Sequence, residues 1–165
     1  VDAHPELLEQ LPTTGSALDL ACGIGAQSLW MAKRGLTVRS LDISPVAVNL
    51  TARSAAQHGL AVNASVWDTD EGLPNDLRDL AMILCQRYRA SDLYLDFLQR
   101  LQPGGVLILT VLSAVGDNGV AGPFHARPGE LGDTYRSAAA SGMIDVLVHE
   151  ERNGQATIVV RYTQT

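Results

Sequence analysis

The chain has 165 residues, of which 46% are hydrophobic and 18% charged, a size and composition that fit one globular domain and exclude a disordered chain. The net charge of −6 and the lack of Lys/Arg clusters argue against nucleic acid as a partner. No apolar run approaches the roughly 20 residues of a membrane helix, and the two cysteines have no disulfide or metal-type spacing, so we expect a cytoplasmic protein without a membrane partner.

Strand-like and helix-like patterns alternate along most of the chain. A short helix is predicted first, at residues 5–11. Five runs rich in Val, Leu and Ile predict parallel strands buried on both faces, at residues 17–22, 37–42, 61–67, 80–85 and 105–112. Apolar residues at helical spacing predict helices between them, at residues 26–34, 45–58 and 91–101.

The last part of the chain changes its pattern. Residues 127–141 predict a helix, and residues 143–150 and 155–163 alternate around Asn153-Gly154, a strong hairpin signal. We therefore predict one three-layer α/β, Rossmann-like domain over residues 1–165. Its mostly parallel sheet has about seven strands and is closed by an antiparallel C-terminal hairpin.

The first predicted strand carries an acid, Asp19, and ends in a glycine-rich turn, Cys22-Gly23-Ile24-Gly25. In such sheets ligands collect at the carboxyl ends of the strands, and glycines let the backbone approach them. The dinucleotide-binding fingerprint requires a third glycine, but this chain has Ser28 there. The second strand ends in Asp42, which is well placed to accept hydrogen bonds from ribose hydroxyls.

The stretch LDLACGIG followed by LDIS resembles the first two motifs of class I S-adenosylmethionine-dependent methyltransferases. The resemblance runs from Leu18 to Thr163, includes the closing hairpin and implies the class I methyltransferase fold. It also implies that Asp19 orients the turn and the ammonium group of the cofactor. One departure is Ala21, where many members have glycine.

Further cofactor contacts follow from the same resemblance. The backbone of Ala21, Cys22 and Gly23 would face the methionine part, and Gly25 would clear space near the sugar. Asp42 would bind the ribose, and Ile43 would lie against the adenine.

The stretch WDTDEGLP resembles the third motif of the family, in which Asp68 would accept from the adenine amino group and Thr69 would offer its backbone N–H. Trp67 is interpreted either as a wall of the adenine site or as a core residue. Cys85 and Gln86, at the end of the fourth strand, would flank the cofactor amine and the transferred methyl.

A finer resemblance concerns the stretch LQPGGVLILTVLS and the later RPGEL, which are similar to small methyltransferases of the tellurite-resistance, TehB-like type. It implies a small-molecule acceptor, a substrate-side loop at residues 113–128 and a partial N-terminal lid helix within residues 1–16. Residues proposed to contact the acceptor are Arg87, Tyr88, Phe124 and His125.

No catalytic residue is predicted, because methyl transfer from a sulfonium depends mainly on positioning. The histidines are scattered along the chain, so no metal site is expected. Two alternatives stay open: a non-catalytic S-adenosylmethionine-binding domain and, with less support from the motifs, a nicotinamide-dependent oxidoreductase.

Overall fold

A seven-stranded sheet organises the chain in the computed structural model, which describes residues 5–116 and 122–164. The strands are β1 Ser16–Leu20, β2 Thr37–Asp42, β3 Val62–Val66, β4 Leu80–Gln86, β5 Leu101–Leu112, β6 Ile144–Arg152 and β7 Gln155–Tyr162. The helices are α1 Pro5–Leu8, α2 Ala26–Lys33, α3 Pro45–Gln57, α4 Tyr94–Arg100 and α5 Glu130–Ala140. Within the described ranges, no helix has the length and apolar character needed to span a membrane.

The strand order β3-β2-β1-β4-β5-β7-β6 confirms the predicted fold class. Strands β1 to β5 pair in parallel, and β7 lies antiparallel between β5 and β6. Since β3 and β4 lie on opposite sides of the β2–β1 pair, the winding reverses beside β1. Ligand sites in open α/β sheets lie at such a reversal, beyond the carboxyl ends of the strands.

Both faces of the sheet are covered, which makes three layers. Along β4, Ile83 and Cys85 point to a core shared with α4 and α5, whereas Met82 and Leu84 point to a core shared with α1 and α2. Each of these four side chains is completely buried. Burial on both faces is why the strand is a continuous apolar run in the sequence.

Some boundaries differ from the predicted ones for local reasons. Strand β1 ends at Leu20 because Ala21 adopts a left-handed conformation with φ of +55°. Strand β5 begins at Leu101 and contains the predicted turn as a bulge, since Leu101 pairs with Leu80 and Val106 with Met82. Helix α5 begins at Glu130, three residues after the predicted start.

The N-terminal residues pack on the sheet. Leu7 and Leu11 are buried in the core beside α2, and Arg34 at the end of α2 donates to the carbonyls of Leu8 and Leu11 at 2.8 and 3.2 Å. These contacts lie at the amino-terminal edge, opposite the glycine turn. The lid function expected of residues 1–16 stays a prediction to which these contacts lend no support.

Candidate functional site

The glycine turn, residues 21–25, connects β1 to α2 at the carboxyl edge and is held there by the end of β2. The Asp42 carboxylate accepts the Gly23 N–H at 2.8 Å through Oδ2 and the Ser44 N–H at 2.9 Å through Oδ1. The Cys22 N–H donates to the carbonyl of Leu41 at 3.0 Å. Asp42 therefore fixes the turn, and its remaining lone pairs are available to further donors such as sugar hydroxyls.

The two glycines of the turn have different surroundings. Gly25 has a φ of +82°, and a Cβ there would lie 2.6 Å from Cγ2 and Oγ1 of Thr51 on α3. Thr51 also donates to the carbonyl of Gly23 at 3.1 Å. By contrast, a Cβ on Gly23 would meet no atom within 4 Å. Gly25 thus permits close packing on α3, whereas Gly23 faces open space that a ligand can enter; the predicted sugar clearance by Gly25 stays a prediction.

Asp19 is buried beneath the start of α2, with only 2% of its surface exposed. Its Oδ2 accepts the Ser28 hydroxyl at 2.5 Å, and the Ser40 hydroxyl donates to Ser28 Oγ at 2.7 Å. Burial raises the pKa of Asp19 to about 6, although the hydrogen bonds from Ser28 oppose that shift. The site therefore contains a carboxylate that is ionised at neutral pH at a cost in solvation.

Ser28 and Ser40 are site residues that sequence reasoning did not identify. The sequence showed Ser28 only as the missing third glycine of a dinucleotide site. Both side chains are fully buried; Ser28 donates the hydrogen bond that a buried carboxylate needs, and Ser40 donates to Ser28 in turn. A serine in the first turn of α2, just after an acid in β1, was the available signal.

Two residues other than glycine adopt left-handed backbone conformations at the ends of neighbouring strands. Ala21 follows β1 with φ of +55°, and Arg87 follows β4 with φ of +57°. The Arg87 N–H donates to the carbonyl of Thr110 at 2.7 Å, which fixes the turn. Such strained residues cluster at functional sites, because the surrounding structure must hold them in place.

The residues predicted for the adenine lie at the end of β3. The Trp67 indole donates to the carbonyl of Gly72 at 2.8 Å, and its ring packs against the core, which favours the core interpretation. Asp68 accepts the Asp70 N–H at 3.0 Å and caps a short 3-10 turn. The Thr69 hydroxyl lies 2.5 Å from the Tyr88 hydroxyl, which joins the ends of β3 and β4.

Apolar side chains are exposed beside this edge. Ile43 is 65% exposed and Ile24, in the glycine turn, is 70% exposed. A cleft of about 520 Å³ lies nearby between the ends of β3 and β4, with Thr69 and Tyr88 in its lining. Exposed isoleucines beside the carboxyl edge of the sheet are suited to contact a flat ring.

The end of β4 contributes an amide and a buried thiol. Gln86 accepts the Gln27 side-chain amide at 3.1 Å, so these two residues bridge β4 and α2; Gln27 was not among the predicted residues. The Cys85 side chain is completely buried in the core, and only its backbone can face a ligand. Burial also raises the pKa of Cys22 to about 12, so this thiol is neutral and a poor nucleophile.

Of the residues predicted for the acceptor, Arg87 follows β4, and Phe124 and His125 lie in the segment before α5. Arg87 is exposed, and Phe124 is 76% exposed. The Gly122 N–H donates to Nδ1 of His125 at 3.0 Å. Tyr88 instead contacts Thr69 on the adenine side. Residues 117–121 of the predicted substrate-side loop lie outside the described residues.

Residues 17–105 match the methyltransferase domain family. The chain is 42% identical over 55 residues to 2-heptyl-1-hydroxyquinolin-4(1H)-one methyltransferase of Mycobacteroides abscessus, covering 33% of this chain and 24% of that protein. It spans 24% to 52% of the length of four curated relatives that it matches.

Solved structures with the same fold include TehB from Haemophilus influenzae, at 19% identity and a TM-score of 0.75, covering 90% of this chain and 57% of TehB. The [4+2]-cyclase SpnF has a TM-score of 0.78 at 17% identity, covering 99% of this chain and 81% of that one. At such identities the likeness concerns the fold.

Proposed function

The chain belongs to the methyltransferase domain family, and from this premise we propose that it transfers a methyl group from S-adenosylmethionine to a small-molecule acceptor. One observation carries the proposal: the end of β2 holds the glycine turn through the Asp42 carboxylate, while the turn leaves open space in front of Gly23. Family membership agrees with the resemblance on which the sequence-based prediction rested.

The residues at the ends of β1 and β2 fit the parts of this cofactor. The open backbone around Gly23 would receive its methionine part, near the buried charge of Asp19. The free lone pairs of Asp42 would accept the ribose hydroxyls, and the exposed Ile43 would cover one face of the adenine. Asp68 and Thr69 at the end of β3 would bind the adenine edge.

S-adenosylmethionine, when bound, would supply a methyl group activated by its sulfonium, with S-adenosylhomocysteine as the leaving group. The contribution of this chain is therefore to hold two reactants in line and to exclude water. The neutral Cys22 and the fully buried Cys85 are poor candidates for a covalent step. A soft or anionic acceptor needs no general base, which agrees with a site built mainly from backbone and buried polar groups.

The acceptor is proposed to lie between the end of β4 and the described part of the segment after β5. Arg87 and Arg127 are exposed cations there; the Arg127 guanidinium lies 3.7 Å from Glu130, which also pairs with the less exposed Arg89. A small anionic acceptor would be attracted by the first two, and Phe124 and His125 would contact it. The net charge of −6 and the sequence composition support a small cytoplasmic acceptor over nucleic acid.

A non-catalytic or differently reactive S-adenosylmethionine-binding domain is the second candidate. The same Asp42 contacts and the same open space at Gly23 would serve such a domain. The nicotinamide alternative is disfavoured, because the buried Ser28 hydroxyl binds Asp19 where that fingerprint requires glycine.

Methyl-labelled S-adenosylmethionine tests the proposal directly. The purified protein is incubated with it and with fractions of a small-molecule cell extract, and release of S-adenosylhomocysteine is followed together with the fate of the label. We expect label in a small anionic product, and clearly less label with an Asp42→Ala control at the same subsaturating cofactor concentration. Cofactor binding without labelled product in any fraction would favour the non-catalytic candidate.

A further inference from the structure

One carboxylate holds both ends of the acceptor-side segment, residues 113–128, of which 113–116 and 122–128 are described. Glu151, near the end of β6, accepts the Ser113 hydroxyl at 2.5 Å through Oε1. Its Oε2 accepts the Gly129 N–H, just beyond the segment, at 2.7 Å. A single side chain from the hairpin therefore connects the exit from β5 to the entry into α5.

A second carboxylate connects the same place to the end of β4. Both oxygens of Glu130 bind the Arg89 guanidinium, at 2.8 and 2.7 Å, and Oε2 also accepts the Arg127 N–H at 3.2 Å. The Glu130 side chain is only 5% exposed. The hydrogen bonds from Arg89 lower the pKa of Glu130, so the pair stays charged. Arg89 lies three residues after Gln86, within the turn that carries Arg87 and Tyr88.

Neither carboxylate is needed to place α5 as a whole. Its apolar face is anchored by Leu131 and Tyr135, which are 1% exposed, and Tyr135 donates to the carbonyl of Tyr94 at 2.7 Å. The two carboxylates instead position residues that precede α5. Ala126 is drawn beside the end of β5, where its N–H donates to the carbonyl of Leu112 at 2.7 Å.

We propose that Glu130 and Glu151 are positioning residues, which hold the segment carrying Phe124, His125 and Arg127 against the ends of β4 and β5. The expected consequence rests on the proposed function. These two residues would shape the acceptor side of the site, and cofactor binding would not depend on them. In the described part of the chain, the two carboxylates contact Arg89, Ser113, Arg127 and Gly129, and none of these contacts reaches the glycine turn.

Chymotryptic cleavage after Phe124 tests the proposal, with the cleaved bond identified by mass spectrometry. We expect Glu151→Gln and Glu130→Gln each to accelerate this cleavage about fivefold, the scale of one ordinary hydrogen bond lost. Asp145→Asn, an exposed change on the same strand β6, is the matched control and should leave the rate within about twofold. Urea unfolding of each variant separates local opening from global destabilisation.

A double-mutant cycle sharpens the test, since Ser113→Ala removes one partner of Glu151. Relative to the unaltered protein, the Ser113→Ala/Glu151→Gln double variant should be cleaved faster by a factor smaller than the product of the factors for the two single variants. Affinity for S-adenosylhomocysteine, measured by calorimetry, should stay within about twofold in every variant. If the unaltered protein did not bind S-adenosylhomocysteine, the proposed function would be refuted, whereas the positioning role would stand.

The positioning role itself would be overturned by unchanged cleavage in both glutamine variants. It would also be overturned if the rate rose only in proportion to a fall in global stability, because the carboxylates would then serve the fold as a whole.

Discussion

The glycine turn is held by near neighbours, Asp42 and Thr51, which follow it within 30 residues along the chain. The acceptor-side segment is held instead by Arg89, in the turn after β4, and by Glu151 of β6, which lie on either side of it in the sequence. The first arrangement is local and is encoded in a short motif, whereas the second depends on the completed sheet. We infer that the cofactor half of the edge is the more constrained half. The acceptor half is then the one that can change to accept a different substrate.

The largest expected effect separates the two glycines of the turn. Gly25→Ala should destabilise the fold by about 2–5 kcal/mol, because it combines left-handed strain with overpacking against Thr51. Gly23→Ala should cost only about 1–2 kcal/mol, since its Cβ meets no atom and only the backbone strain remains. Urea unfolding of both variants measures the difference.

The matched pair is informative in binding as well. Gly23→Ala should abolish S-adenosylhomocysteine binding although the protein stays folded, because the new methyl group occupies the open space. Equal losses of stability in the two variants would contradict the assignment of one glycine to packing and the other to the ligand.

The next effect concerns Asp19, whose pKa is raised by burial from 3.8 to about 6. Between those values the folded state holds a proton that the unfolded state has lost, so this residue lowers the free energy of unfolding as pH rises from 4 to 6. The shift of the Asp19 pKa corresponds to about 3 kcal/mol of the free energy of unfolding, which is lost as the pH rises from 4 to 6. Asp19→Asn should remove this pH dependence and leave the fold at least as stable at pH 8.

The Asp19→Asn substitution should weaken cofactor binding, although it leaves the fold at least as stable at pH 8. The charged form of Asp19 is the one proposed to act near the cofactor ammonium, so S-adenosylhomocysteine should bind about tenfold more weakly to Asp19→Asn, and to the unaltered protein below pH 6. Calorimetry at pH 5 and pH 8 gives both numbers. An Asp19→Asn protein with unchanged affinity would show that Asp19 serves only the fold.

A smaller effect is expected at Asp42. Asp42→Ala should weaken S-adenosylhomocysteine binding by about 1–3 kcal/mol, the scale of a lost charged hydrogen bond. Since Asp42 also accepts the N–H groups of Gly23 and Ser44, the free energy of unfolding should fall by about 1–2 kcal/mol. Asp42→Asn keeps acceptor capacity and separates these contributions; unchanged affinity in both variants would remove Asp42 from the site.

The smallest effect is expected on the acceptor side. Arg87→Ala and His125→Ala should change affinity for S-adenosylhomocysteine by less than about threefold, or under 1 kcal/mol, while methyl transfer falls. Loss of S-adenosylhomocysteine binding in either variant would contradict the division of the carboxyl edge into a cofactor half and an acceptor half.

The difference between the halves also explains which features the sequence could predict. Asp19, Gly23, Gly25 and Asp42 lie in short motifs whose spacing is set by one strand and one turn. The seven strands followed from apolar runs and a hairpin signal in the same way. Ser40, by contrast, reaches Ser28 only because β1 and β2 pair in register, with Asp19 opposite Ser40.

The acceptor half depends still more on distant pairing. Glu130 binds Arg89 across 41 residues, and Glu151 binds Ser113 across 38. No periodicity or motif in one sequence reports such contacts, because they exist only once β4, β5 and the hairpin are side by side. The bulge that extends β5 back to Leu101 was missed for the same reason, since it depends on pairing with Leu80.

The most direct test of the central claim is calorimetric titration of the unaltered protein with S-adenosylhomocysteine and, separately, with NAD. The account predicts micromolar binding of S-adenosylhomocysteine at pH 8, weakening below pH 6, and no measurable binding of NAD. Binding of NAD without binding of S-adenosylhomocysteine would contradict it.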